Sequence, residues 1–205
     1  MAGIMTSQNS RRAGGAPGAD EAPRGWLQAL LVYRQPRMLG MLFLGFSSGL
    51  PFYLIFQTLS AWLRQDGIER ATIGMLSWAM LFFTLEFAWA PVVDRVRLPF
   101  LHRALGRRRS WMLVAQTGII AALFFQSLND PAHGLLRVVI GALALAFCAA
   151  TQDIAMNAWR IESAPEPLQG AMAAAYQLGY RAALIVASAG AFEIAQGFGW
   201  HLSYA

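Results

Sequence analysis

From residue 38 onward the chain alternates long apolar runs with short polar stretches, and the pattern predicts five membrane-crossing helices. The runs cover about residues 38–62, 71–93, 111–128, 135–159 and 169–196, each near or above the roughly 20 residues that cross a hydrocarbon core. Residues 1–24 are rich in Ala, Gly, Ser and Arg and lack an apolar segment. They read as a disordered tail rather than a secretory signal. Residues 25–37 place Trp26, Leu27, Leu30, Leu31 and Arg34 at helical spacing, which predicts a short helix lying in the interface and ended by Pro36.

Within the first run, Gly45 to Pro51 reads GFSSGLP. The glycines permit a close helix contact, and Pro51 removes a backbone donor, so a bend or a tight contact is expected there. Gly45, Ser47 and Gly49 also fit the G-x-S-x-G pattern of a hydrolase nucleophile. That chemistry needs a strand-turn-helix setting and a histidine in reach, and neither is expected inside a membrane helix, so helix packing is the reading adopted.

Composition agrees with the membrane reading: 57% of the 205 residues are hydrophobic and 13% charged, against about 25% charged in soluble domains. The net charge of +5 comes from sixteen basic residues, all arginine, set in blocks between apolar runs rather than along one solvated face. This argues against nucleic-acid binding and for orientation signals. Twelve of the sixteen fall in the tail, in the stretch from Pro91 to Trp111 and at Arg160. The positive-inside rule then puts the N-terminus and that stretch in the cytoplasm and residue 205 outside. An odd number of spans ending outside is an awkward architecture, and a fragment of a longer protein is expected. Cys148 is the single cysteine, and His102, His133 and His201 lie far apart. No disulfide, metal site or cofactor is predicted.

Ionisable groups inside membrane helices are costly and tend to face a cavity or a partner. Arg181 lies about 12 residues into the fifth run, or roughly 18 Å, near the midplane. With Tyr180 adjoining and Gln177 one turn earlier, it forms a candidate patch for an anionic solute; the alternative is a structural ion pair, with Glu86 of the second run as its partner. Glu86 is also a candidate carrier of a coupling proton. Asp153 and Asn157 share a face of the fourth run, beside Gln152. They are expected to meet Arg95 or the cluster Arg107, Arg108 and Arg109, either as a gate or as an interfacial polar cap. Arg137 and Gly141 fit R-x-x-x-G, or an arginine snorkelling to the interface.

Four stretches together resemble the AmpG-type muropeptide permeases of the major facilitator superfamily: GFSSGLPFYLIFQTLSAWLRQDGI from Gly45, LEFAWAPVVDR from Leu85, GRRRSW from Gly106, and AFCAATQDIAMNAWRIE from Ala146 with LGYR ending at Arg181. Their order and spacing run from about residue 34 to the end. The resemblance implies an all-α, major-facilitator-like N-terminal bundle with five of twelve or more spans. It also implies proton-driven import of anhydro-muropeptides for cell-wall recycling across the bacterial inner membrane, with no enzymatic activity. On this resemblance Arg181 binds a substrate carboxylate, and Asp94, Arg95, Gly106 and Arg107 to Arg109 belong to a signature loop and gate. Three departures stand out: a longer loop between Asp94 and Gly106, Asn157 where the family has aspartate, and Glu86 where it has lysine. A related facilitator for another acidic solute, such as the acetyl-CoA carriers, and a membrane scaffold or remnant that carries nothing are the alternatives.

Overall fold

The computed structural model describes residues 33–163 and 165–204. The tail at 1–24 and most of the interfacial segment at 25–37 therefore lie outside the described residues. Residues 33–35 form a turn, and Pro36 opens the first membrane helix. Proline suits that first position: its fixed φ is already helical, and its missing N–H would have had no intrahelical partner.

Among the described residues the regular structure is entirely helical. Helix α1 spans Pro36–Gln65; α2 and α3 are Thr72–Thr84 and Glu86–Arg95; α4 is the short Leu101–Leu105; α5 is Arg107–Ser127; α6 is Pro131–Ser163; α7 is Glu166–Phe198; and α8 is Trp200–Tyr204. Four of these are long and apolar enough to cross a membrane, and a fifth crossing results when α2 and α3 are taken together. The protein is an all-α, major-facilitator-like membrane bundle. Its two 33-residue helices are longer than an upright crossing of about 20 residues requires, so they tilt or extend beyond the hydrocarbon.

The second apolar run, expected as one span, is two helices bent by 43° at Leu85. Leu85 leaves helical geometry at φ −96°, ψ 10°, directly after Thr84, whose hydroxyl donates to the carbonyl of Met80 at 3.0 Å. The third and fourth helices begin earlier than the apolar runs imply, at Arg107 and Pro131, because the arginines and the turn residues are themselves helical. Gly106, at φ +78°, supplies the left-handed step that starts α5.

Helices α1 and α7 run parallel and touch over most of their length, and glycine makes this possible. A side chain on Gly45 would strike the carbonyl of Tyr176, one on Gly49 that of Tyr180, and one on Gly179 that of Leu42. The two helices also widen at the same level. Leu54–Thr58 in α1 and Val186–Gly190 in α7 are π-helical turns, and the Thr58 hydroxyl joins them by donating to the carbonyl of Ala187 at 2.6 Å. Pro51, with no N–H to give, precedes the first of these turns. The buried core follows the helix axes: Trp62, Leu63 and Tyr204 at one end, Leu145, Ala146 and Ile119 in the middle, and Val93, Met156 and Met172 toward the arginine-rich end.

Candidate functional site: a polar cluster among α1, α6 and α7

The glycine contact brings α1 so close to α7 that the small side chains between Gly45 and Gly49 reach both α6 and α7. Ser48, buried on α1, donates to a carboxylate oxygen of Asp153 on α6 at 2.5 Å and lies 3.1 Å from the hydroxyl of Tyr176 on α7. One residue earlier on each helix, Ser47 and the fully buried Gln152 exchange longer hydrogen bonds of 3.3 and 3.4 Å. Three helices are thus joined by hydroxyl, amide and carboxyl groups well inside their spans. No cationic side chain among the described residues pairs with Asp153.

Tyrosines and phenylalanines continue the cluster. Tyr176 and Tyr180 have ring centres 6.0 Å apart, Tyr180 meets Tyr53 edge-on at 5.5 Å, and Phe52 links this group to Phe83 on α2 at 5.4 Å. The result is an aromatic wall that runs from Tyr176 to Phe83. Edge-to-face arrangements of this kind place the positive ring edge on a negative face. Glu86, half-buried at the start of α3, is near enough for its charge to act on Asp153 and Tyr176.

The residues singled out in the sequence are only partly brought together. Tyr180 joins the aromatic wall, whereas Gln177 and Arg181 are exposed. The alternative reading of Arg181, an ion pair with Glu86, does not form: neither residue has an ion-pair partner among the described residues. Asp153 and Asn157 do not meet Arg95 or the arginine cluster either. Asp153 faces Ser48, and the side chain of Asn157 has no hydrogen bond among the described residues. Helix rise explains the difference. The loop's partner from α6 is Glu162, nine residues beyond Asp153, which is roughly 13 Å along the axis.

At the arginine-rich end Arg108 joins three elements. It is bonded to Asp94 of α3, and its Nη2 donates to Glu162 of α6 at 2.7 Å. Arg95, which was expected to share the gate with Asp94, is exposed and makes no such bond. Gly106 lies just before α5, Arg107 is partly buried, and Arg109 is exposed. Trp111 ties the loop down by donating its indole N–H to the carbonyl of Val96 at 3.0 Å.

At the opposite end the groups outside the spans are also coupled. Asp130 accepts from His133 at 2.9 Å, which holds its carboxyl below the usual carboxylate range. Partial burial pushes Asp66 up, and the Asp130 charge adds to the effect.

Comparison with known proteins identifies the family. The family model described as acetyl-coenzyme A transporter 1 matches residues 38–187. The chain belongs to that family. Within it, the resemblance to AmpG-type permeases extends over nearly the whole chain. An anhydromuropeptide permease of Escherichia coli (strain K12) is 36% identical over 178 residues, 86% of this chain and 35% of the relative. AmpG 4 of Rickettsia felis is 33% identical over 175 residues, 84% of this chain and 42% of the relative. The chain spans between about a third and two fifths of the length of these curated relatives. The family match takes in the whole polar cluster, from Ser47 to Tyr180, and Arg181 with it. Ser48 and Tyr176 were not found by sequence reasoning. Ser48 hid inside a packing motif, and Tyr176, one helical turn before Tyr180, was the available signal.

Proposed function

We propose that this chain forms part of a secondary transporter that imports anhydro-muropeptides across the bacterial inner membrane, with its N-terminus and the arginine-rich loop in the cytoplasm. The observation that carries the reading is the polar cluster Ser47, Ser48, Gln152, Asp153 and Tyr176 inside the spans of a bundle that belongs to a transporter family. The similarity to an anhydromuropeptide permease supports the substrate class. Arg181, an uncompensated cation within an apolar helix, suits a substrate carboxylate, and the aromatic wall of Tyr180, Tyr53 and Phe52 suits the apolar faces of a sugar ring. Asp153 and Glu86, two carboxylates with no ion-pair partner among the described residues, are the candidates for carrying coupling protons. Asp94, bonded to Arg108, belongs to a lock at the cytoplasmic end that opens as helices rock.

The test is uptake of labelled anhydro-muropeptide by a strain that lacks its own permease and expresses the native gene containing this chain. Uptake that collapses with a protonophore, and that Arg181→Ala abolishes without loss of membrane expression, is the expected result. Unchanged uptake by the Arg181→Ala protein overturns the binding assignment. The family model's own description favours labelled acetyl-CoA as the second solute in the same assay. The exposed, unpaired Arg181 also fits a bundle that carries nothing, and absence of uptake of both solutes by a folded protein would select that reading.

A further inference from the structure

The loop between α3 and α5 differs from the rest of the described surface in combining free cations with a projecting aromatic ring. Arg95, Arg97, Arg103 and Arg109 are exposed, and no ion-pair partner is found for them among the described residues. The nearby carboxylates do not offset them, because Asp94 and Glu162 are both engaged by Arg108. Phe100, between these arginines, is 87% exposed, more than any other large hydrophobic residue described. It is also the one described non-glycine residue with positive φ, at +68°. A bulky residue is uncommon in that conformation. Val96 and Leu105 are exposed on either side of it.

The position of this loop decides what the surface meets. It joins two membrane-crossing elements, so it lies where the hydrocarbon ends and the headgroups begin. An aromatic ring there enters the acyl boundary, and arginines beside it sit at the level of the phosphates. We propose that the α3–α5 loop is a docking surface for anionic phospholipid, with Phe100 seated among the acyl chains and Arg97, Arg103 and Arg109 holding the phosphodiester and its net negative headgroup. Charge complementarity selects the lipid: a zwitterionic headgroup carries its own ammonium and leaves the arginines uncompensated. Arg108, already bonded on both sides, anchors the loop and takes no part in binding.

The purified full-length protein in mild detergent, titrated with phosphatidylglycerol and separately with phosphatidylcholine and read by native mass spectrometry, tests this directly. Wild-type protein is expected to retain phosphatidylglycerol in preference. The variant with Arg97→Gln, Arg103→Gln and Arg109→Gln should weaken the first bound phosphatidylglycerol by about fivefold per arginine, on the order of a hundredfold in all. Phe100→Ala, which leaves every charge in place, should weaken it too. Arg64→Gln with Arg70→Gln, at the other end of the bundle, should leave it unchanged. Equal affinity for the two lipids, or an unaltered affinity in the triple variant with intact helical circular dichroism, overturns the proposal. So does complete displacement by inorganic phosphate with no effect of Phe100→Ala, which marks a simple anion site.

Discussion

Replacing Gly179 by alanine should loosen the bundle, although alanine is the better helix former. The added Cβ would fall on the carbonyl of Leu42 and within 2.8 Å of the backbone nitrogen of Phe46. All of these are backbone atoms of α1, so no side chain can rotate away. Restoring an ordinary contact of about 3.5 Å requires the two helices to part by on the order of 1 Å. That movement strains every contact Gly179 shares a face with, including Gly45 on Tyr176 and Gly49 on Tyr180. Overpacking of this kind costs about 1–3 kcal/mol, against the roughly 0.5–1 kcal/mol that alanine gains over glycine within a helix. Two glycines in the same helices serve as internal standards. A Cβ at Gly40 in α1 or at Gly170 in α7 meets nothing within 4 Å. Thermal unfolding of the detergent-solubilised protein should therefore show Gly179→Ala melting below wild type and Gly40→Ala and Gly170→Ala melting at or above it. A Gly179→Ala protein as stable as the two standards refutes the close approach of α1 and α7.

Three further outcomes follow from the described contacts. Ser48→Ala removes the donor to Asp153 and should destabilise the bundle by about 1–3 kcal/mol; a thermal melt of the double variant with Asp153→Asn should recover part of that loss, because no carboxyl group is then left without its donor. Arg108→Gln should increase hydrogen–deuterium exchange in both the α3–α5 loop and the end of α6, since one guanidinium joins Asp94 to Glu162, whereas Glu162→Gln should affect α6 alone. Asp66 carries a carboxyl raised by burial and by Asp130, so its ionised form disfavours the fold. Asp66→Asn should raise the melting temperature at neutral pH, and the gain should vanish as the pH falls below the unfolded carboxyl value of about 4; a gain that persists in acid would exclude a charge effect.

Much of the architecture was legible because a bilayer imposes a length and a composition on any helix that crosses it, and the apolar runs meet both. The break at Leu85 was not. The sequence there, LFFTLEF, carries neither proline nor glycine, and its apolar pattern runs unbroken through the residue at which the helix bends. The GFSSG segment was read correctly as a packing surface, but what it packs, the backbone of Tyr176 and Tyr180, is more than a hundred residues away, and no periodicity reports that. The same distance concealed the partner of Asp153. Matching it to arginine followed charge, while the fold follows depth: Asp153 sits too far inside α6 to reach the loop, and a serine already in the interior takes the place of a cation. Arg181 was located in its helix from counting alone, yet the facing of its side chain depends on how α7 rotates against α1, and the three glycines set that rotation.

The paired π-helical turns have a consequence for how these helices tolerate change in length. Each wide turn holds one residue more than a regular α-helix would over the same rise. Because the turns stand at one level and are joined by Thr58 and Ala187, α1 and α7 absorb their extra residues together. Deleting one residue from a wide turn would restore a regular α-helix there and leave the facing of the segment beyond it unchanged, so Trp62 would keep its stack on Trp200. What such a deletion would remove is the local widening, and with it the bond from Thr58 to the carbonyl of Ala187. The wide turns are thus the places where α1 and α7 can change in length by one residue without turning their distal ends.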